Sequence, residues 1–483
     1  MRTGTGQLPP DPRAPRTPAR TGGRGARAGA RADRRLRDLS GWVKPPQLTA
    51  AAFGSLILVG AGLLSLPAAT EAGERAPFDT ALFTATSAAS VTGLAVVDTA
   101  SYWSGLGEAV ILLLIQVGGF GIMALATVLT LVVGRQLGLR MAVRTGSEAK
   151  VVTLGEVRQL VTGVLVVTVV FETTLAAVLS LRWWLGYGLP LPEAVYTGVF
   201  HAVSSFNNAG FALYADSLMG FAEDPWITVP VALGVLAGGL GFPVWVELWR
   251  FTRRRAEHRH WTLHVKITLV MTGLLLVVGF VAFLALEWSN PATMGGLDLR
   301  GKLLTAFFQS VMPRTAGFNS LDFGQMNTQT LLVTDILMFV GGGSAGTAGG
   351  IKVTTFAVLA FVIYANVRGE PTVHVSGRRL AEGTTSQATT VVLLALGLVL
   401  AGTLTLMTVT PFTLDQILFE TTSAFATVGL STGITADLPL LGQMVLVFLM
   451  FVGRIGPITL ASALALRRRP RLYELPEERP IVG

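Results

Sequence analysis

Ala426-Thr427-Val428-Gly429-Leu430 governs the reading of the whole chain, because three other places carry an altered copy of it. They are Ser90-Val91-Thr92-Gly93-Leu94, Asn207-Asn208-Ala209-Gly210-Phe211 and Arg314-Thr315-Ala316-Gly317-Phe318, with the glycines recurring at intervals of a little over a hundred residues. An amphipathic run leads into the strings, Phe78-Asp79-Thr80-Ala81-Leu82-Phe83 before the first and Phe419-Glu420-Thr421-Thr422 before the last. Glycine lets an extended backbone turn its carbonyls to one side, a conformation that a Cβ resists. Rings of such carbonyls, gathered from four repeats, can replace the water shell of an ion. The spacing predicts one chain folded four times around one ion pathway.

The composition agrees. Of 483 residues, 51% are hydrophobic and only 14% are charged, whereas a soluble chain is about a quarter charged. This is a membrane composition. With no cysteine, disulfides and thiolate-bound metals are excluded. A net charge of +8 and a pI near 10.2 would suit nucleic acid. In a membrane protein it reads instead as basic loops facing anionic lipid.

Residues 1–47 form a basic tail with little to bury. Apolar runs of ~20 residues, enough to cross a bilayer, then arrive in pairs. They are Leu48–Leu66 with Val110–Val133, Leu160–Leu181 with Trp226–Leu248, Ile267–Leu286 with Leu331–Ala365, and Val391–Thr410 with Leu441–Leu466. Between the members of each pair lies a segment too short to span, which leads into a glycine string. The expected fold is all-α, with eight transmembrane helices in four helix–pore helix–filter loop–helix repeats around a central pore. The repeats are 48–134, 135–250, 251–368 and 369–467, followed by a tail of 468–483. Basic residues crowd alternate loops, at Arg135 to Lys150, Arg250 to Arg259, Arg368 to Arg379 and Arg467 to Arg471, while the filter sides are acidic or sparse in charge. The positive-inside rule therefore places both termini in the cytoplasm and the four filter loops outside.

Three further features carry function. Gly341-Gly342-Gly343-Ser344-Ala345-Gly346-Thr347-Ala348-Gly349-Gly350-Ile351-Lys352 interrupts the sixth run. Glycine costs a helix about 1 kcal/mol relative to Ala, so the helix should break into a mobile loop beneath the filter. A phosphate loop is excluded because Val353, not Ser or Thr, follows the lysine. Arg454 lies near the middle of the eighth run, where a charge is costly and functional by default; it serves as a positive barrier or as a partner for the glycine loop. Lys352 serves similarly or snorkels to the interface. Glu172 is either a site for a coupling cation or a structural hydrogen-bonding group, and Asp79 and Glu420 support the filter or attract cations. Gly118, Gly119 and Gly121, with Gly238, Gly239 and Gly241, read as close-packing surfaces and bends. No catalytic constellation emerges, and His258, His260 and His264 belong to a basic loop.

Phe206-Asn207-Asn208-Ala209-Gly210-Phe211, Pro313-Arg314-Thr315-Ala316-Gly317-Phe318-Asn319 and Ala426-Thr427-Val428-Gly429-Leu430-Ser431-Thr432-Gly433 resemble the pore loops of the Trk/Ktr/HKT potassium transporters. The likeness runs from about Leu48 to Leu466 and is nearer the KtrB-like pore-forming subunits. It implies potassium uptake at the plasma membrane, often sodium-dependent, by a homodimer in which each protomer has its own pore. It implies a filter of Ser90 to Gly93, Asn207 to Gly210, Arg314 to Gly317 and Ala426 to Gly429, and an intramembrane gate of Gly341 to Gly350 supported by Arg454. It also implies a separate cytoplasmic, nucleotide-binding regulatory ring of the KtrA kind. Potassium, and in some members sodium, is the cargo, with no organic cofactor in this chain. The alternatives are an alternating-access carrier for another cation or small solute, built on the broken helix, and a membrane enzyme or sensor scaffold.

Overall fold

The computed structural model describes residues 45–121, 124, 154–253, 261–370 and 372–456. The tails, the basic stretches Arg135 to Lys150 and Arg254 to His260, and Pro457 to Leu466 lie outside the described residues. The first helices are α1 (Pro45–Leu64), α2 (Phe78–Ala89) and α3 (Gly105–Gly121). They are followed by α4 (Leu154–Tyr187), α5 (Leu191–Phe206), α6 (Pro225–Leu240) and α7 (Phe242–Arg253). Next come α8 (Leu263–Glu287), α9 (Leu299–Val311), α10 (Thr328–Phe339) and α11 (Val353–Val367). The last are α12 (Glu382–Val409), α13 (Leu414–Ala426) and α14 (Leu440–Ile455). The expected all-α fold gains one small exception, an antiparallel ladder of His374–Val375 with Arg378–Arg379.

The four helices that enter the glycine strings, α2, α5, α9 and α13, have 12, 16, 13 and 13 residues. At 1.5 Å per residue they reach roughly 18–24 Å, short of the ~30 Å hydrocarbon layer. Their sequences explain their place. Thr84, Ala85, Thr86, Ser87 and Ala88 in α2, and Thr421, Thr422, Ser423, Ala424 and Ala426 in α13, are small or hydroxylic and buried. The helices around them turn Val166, Leu274 and Leu404 outward, each more than half exposed. Apolar surface on that scale suits lipid rather than water.

The apolar runs differ in form. Among the described residues, Val161–Tyr187, Leu263–Glu287 and Gly383–Val409 are each long and apolar enough to cross a membrane alone. The run Trp226–Leu248 is not one rod. It breaks at Gly241 into α6 and α7, which meet at 97°, because Gly241 adopts φ +88°, a region open to glycine. The Trp245 Nε1–H donates to the Ala237 carbonyl at 2.8 Å and pins this elbow. The sixth run likewise splits into α10 and α11 around the glycine-rich loop, as expected.

Candidate functional site: the glycine strings and the loop against them

Each entering helix stops at its string because the chain changes hand there. Val91, Asn208, Thr315 and Thr427 have φ of 55°, 62°, 69° and 51°, and Gly93, Gly210, Gly317 and Gly429 have 98°, 71°, 69° and 92°. The second and fourth residues of every string are therefore left-handed and the third is not. This alternation turns successive carbonyls to the same side. Three of the four non-glycine residues are β-branched, for which a positive φ costs on the order of 1–3 kcal/mol each. Such strain persists only where the surroundings impose it, and here all four are buried.

The surroundings that impose it are hydrogen bonds back to the entering helices. The Thr92, Ala209 and Val428 amides donate to the Ser87, Ser204 and Ser423 carbonyls at 2.8, 2.7 and 2.9 Å. The Gly93 and Gly429 amides donate to the Ser87 and Ser423 hydroxyls at 3.0 and 3.1 Å. In the third string the corresponding Ala316 amide reaches Met312 instead, at 3.1 Å. With their amides committed to the helices behind them, the strings leave their carbonyls for the centre.

The strings meet there in a closed circle. A Cβ on Gly93 would come within 3.0 Å of the Ala209 carbonyl oxygen, one on Gly210 of that of Ala316, one on Gly317 of that of Val428, and one on Gly429 of that of Thr92. The first string faces the second, the second the third, the third the fourth, and the fourth the first. Only glycine leaves room for backbone against backbone at such range. A cavity of about 360 Å³ opens onto these four glycines, and its lining includes Asp98 and Asp322 but no lysine or arginine.

The glycine-rich loop presses on the strings at their first two residues. Its neck closes through the Gly341 amide donating to Ile351 at 2.8 Å and the Val353 amide donating to Gly342 at 3.0 Å. It rests on the end of α6, where the Gly343 and Thr347 amides donate to Gly239 and Gly238 at 2.8 and 3.2 Å, and the Phe242 amide donates to Ala345 at 3.4 Å. A Cβ on Gly349 would strike Thr427 and the Ala426 carbonyl, and one on Gly350 would crowd Ala426. Ser344 and Thr354 share a hydroxyl bond of 2.9 Å at its base.

Two cations grip carbonyls of this loop, and a third that of the residue before it. Arg454, almost wholly buried, donates to the Thr347 carbonyl and, at 3.3 Å, to that of Gly118. Its bond to Thr347 is compatible with the reading of Arg454 as a partner of the loop and leaves its charge beside the strings. Lys352 donates to Ala348. Arg314 turns its side chain away from the circle and donates to Val340 at 3.4 Å, so only its backbone belongs with the strings.

Acids hold the surroundings. Glu172 accepts from Asn207 Nδ2 at 2.9 Å and Gln116 Nε2 at 3.2 Å, and Asn207 Nδ2 also donates to Gln116 Oε1 at 2.9 Å. Glu420 accepts from Ser431, from the Thr432 amide at 3.2 Å and from Thr435 at 3.0 Å, tying the exit of the fourth string to α13. Asp79 sits half-buried in the first turn of α2, away from these networks. The sequence reading passed over Glu287, which is fully buried and accepts from Asn290 at 2.7 Å, Thr293 at 2.6 Å, the Asn327 amide at 2.9 Å and Thr330. Its signal was an acid closing an apolar run. His201 packs between Trp183 and Tyr214 and donates from Nδ1 to the Thr197 carbonyl at 2.8 Å.

Known proteins are similar to this chain. The TrkH model, described as cation transport protein, matches residues 49–469. The Ktr system potassium uptake protein B of Bacillus subtilis is 39% identical over 88% of this chain and 94% of its own length. That of Vibrio alginolyticus is also 39% identical, over 91% and 95%. The potassium/sodium uptake protein NtpJ of Enterococcus hirae is 36% identical over 91% and 98%. The crystal structure of the potassium transporter TrkH from Vibrio parahaemolyticus superposes with a TM-score of 0.69, covering 86% of this chain and 84% of that one at 18% identity, a likeness of fold. The long apolar helices of a transporter family make this a membrane protein. From residue 49 to 469, strings and broken helix included, the chain belongs to the TrkH family of cation transport proteins.

Proposed function

We propose that the chain takes up potassium through a pore whose filter is the circle of Ser90 to Gly93, Asn207 to Gly210, Arg314 to Gly317 and Ala426 to Gly429. The closed circle of glycines, each against the next string's carbonyl, is the observation that carries this reading. Carbonyls held to one side by a strained, left-handed backbone can stand in for the water shell of a cation, and the acids of the adjoining cavity raise its local concentration. The names of the Ktr proteins and of NtpJ support potassium as cargo, with sodium as a second or coupling ion.

In the same reading, eight membrane crossings (α1, α3, α4, α6 with α7, α8, α10 with α11, α12 and α14) form four repeats, bounded at 48–134, 135–250, 251–368 and 369–467. The cavity faces outward and both termini face the cytoplasm, as the basic loops indicate. The loop Gly341 to Gly350 is the gate, held by Lys352 and Arg454. The protein works in the plasma membrane as a homodimer with a nucleotide-binding cytoplasmic ring, a partnership that the word "system" in the relatives' names supports.

The test is potassium uptake at low external potassium by cells lacking their own systems, with a KtrA-like subunit co-expressed, with and without sodium. Uptake that rises with sodium is the expected result. No uptake by protein shown to be in the membrane would refute the potassium assignment.

A further inference from the structure

The second string touches both the third string and the gate through one side chain. Asn208, fully buried, donates from Nδ2 to the Arg314 carbonyl at 3.1 Å. Its Oδ1 accepts from the Thr347 hydroxyl at 2.8 Å. Arg314 begins the third string and Thr347 lies in the glycine-rich loop, so an amide three atoms wide joins the two moving parts of the proposed pore. The string fixes its orientation: the Arg314 carbonyl only accepts, so the amide nitrogen faces it and the amide oxygen is left for the Thr347 hydroxyl, which donates.

We infer that Asn208 couples the gate to the filter, by engaging the Arg314 carbonyl while the loop is seated and releasing it when Thr347 withdraws. The inference rests on the pore reading above. In the seated state the Arg314 carbonyl gives a lone pair to Asn208 and is drawn toward the second string. When the loop leaves, Asn208 Oδ1 loses the donor that held the amide in place, the side chain swings off the string, and the carbonyl becomes free to face an ion. The innermost ring of the filter is complete only when the gate is open. Linkage makes the effect reciprocal: an ion that takes the Arg314 carbonyl loosens the amide and weakens the loop's hold. Potassium at the inner ring therefore favours opening. Asn208 is a positioning residue here, acting through Arg314.

Four variants test this by the KM and maximal rate of potassium uptake. Asn208→Gly tolerates the left-handed backbone and removes the amide. Thr347→Val removes only the hydroxyl, and Thr347→Ser keeps it. Asn208→Gly and Thr347→Val should each lower KM about fivefold, and the double variant should lower it no further. Thr347→Ser should recover the parent's KM. Additive effects, a KM unchanged or raised, or a Thr347→Ser protein like Thr347→Val would overturn the coupling. If Asn208→Gly does not fold, the contrast between the two Thr347 variants decides alone. Absence of uptake by the parent protein would instead strike the pore reading, and the coupling with it.

Discussion

The Arg454 guanidinium, carried by α14, donates to the carbonyl of Thr347 in the loop that breaks the sixth apolar run. A buried guanidinium is tolerated only where acceptors surround it, and its second bond, to Gly118, ties α3 to the same point. On the gating reading this contact holds the loop shut. A hydrogen bond to a charged group contributes about 1.5–3 kcal/mol. Arg454→Gln should therefore move the loop equilibrium toward open by roughly tenfold or more, seen as a higher maximal rate of potassium uptake. A rate at or below that of the parent would argue against the clasp.

Replacing Gly429 with Val introduces a Cβ at a left-handed position that collides with the Thr92 carbonyl. Membrane insertion should be normal and uptake abolished. Gly93→Ala and Gly210→Ala should behave alike, because each closes the circle against the next string. Uptake at the parent's level in any of the three would remove the filter assignment.

Glu172 has two amide partners and holds the second string by Asn207. Removing the carboxylate in Glu172→Ala takes the acceptor from the half-buried Gln116 Nε2 and one of three from the buried Asn207 Nδ2, which keeps Gln116 Oε1 and the Val203 carbonyl, a cost of about 1–3 kcal/mol. A lower melting temperature and fewer active molecules should follow, with the ratio of uptake in sodium to uptake without it unchanged. Loss of the sodium effect alone would instead make Glu172 a coupling site.

The Asp98 and Asp322 carboxylates cap short helices, accepting from the Ala100 amide at 3.3 Å and the Gly324 amide at 2.9 Å. Asn at both positions keeps an acceptor and removes the charge. The double variant should raise the KM for potassium about two- to fivefold at low ionic strength, through the lost cation enrichment. At several tenths molar salt the difference should vanish, since screening then acts within a few ångströms. A salt-independent difference would point to a damaged mouth.

Glu420 joins Ser431, Thr432 and Thr435 to the middle of α13. Glu420→Ala takes the acceptor from the buried Thr432 amide and breaks the bonds to Thr435 and the half-buried Ser431, at about 1–3 kcal/mol for each donor left unmatched, so uptake and thermal stability should fall together. Glu420→Gln, which retains one acceptor oxygen, should fall between Ala and the parent. Full uptake in Glu420→Ala would deny the fourth string this support.

The strings were legible because a positive φ leaves a mark in sequence: four glycines at matching places, which the structure finds left-handed. The glycine-rich break was legible by the same rule, and Arg454 because an arginine within an apolar run demands acceptors. The elbow at Gly241 was half legible. Gly238, Gly239 and Gly241 read as bends, yet Trp226–Leu248 was drawn as one span, because hydropathy sums along the chain and carries no direction. The side chain of Arg314 was not legible for a related reason: the backbone pattern says where its carbonyl belongs but not where a long side chain finds an acceptor. The bond of Asn208 to Thr347 joins residues far apart in sequence, and no local pattern announces it.

The circle of strings has one more consequence. A pore made from four identical chains repeats every substitution at each wall, so small changes act in fours. Here Val91, Asn208, Thr315 and Thr427 occupy corresponding positions with three different side chains, and each string is encoded once. One wall can then be refitted, as the second has been with an amide, while the other three keep the ion's coordination. Specialisation of a single quadrant is the freedom that gene-internal repetition gives and subunit symmetry withholds.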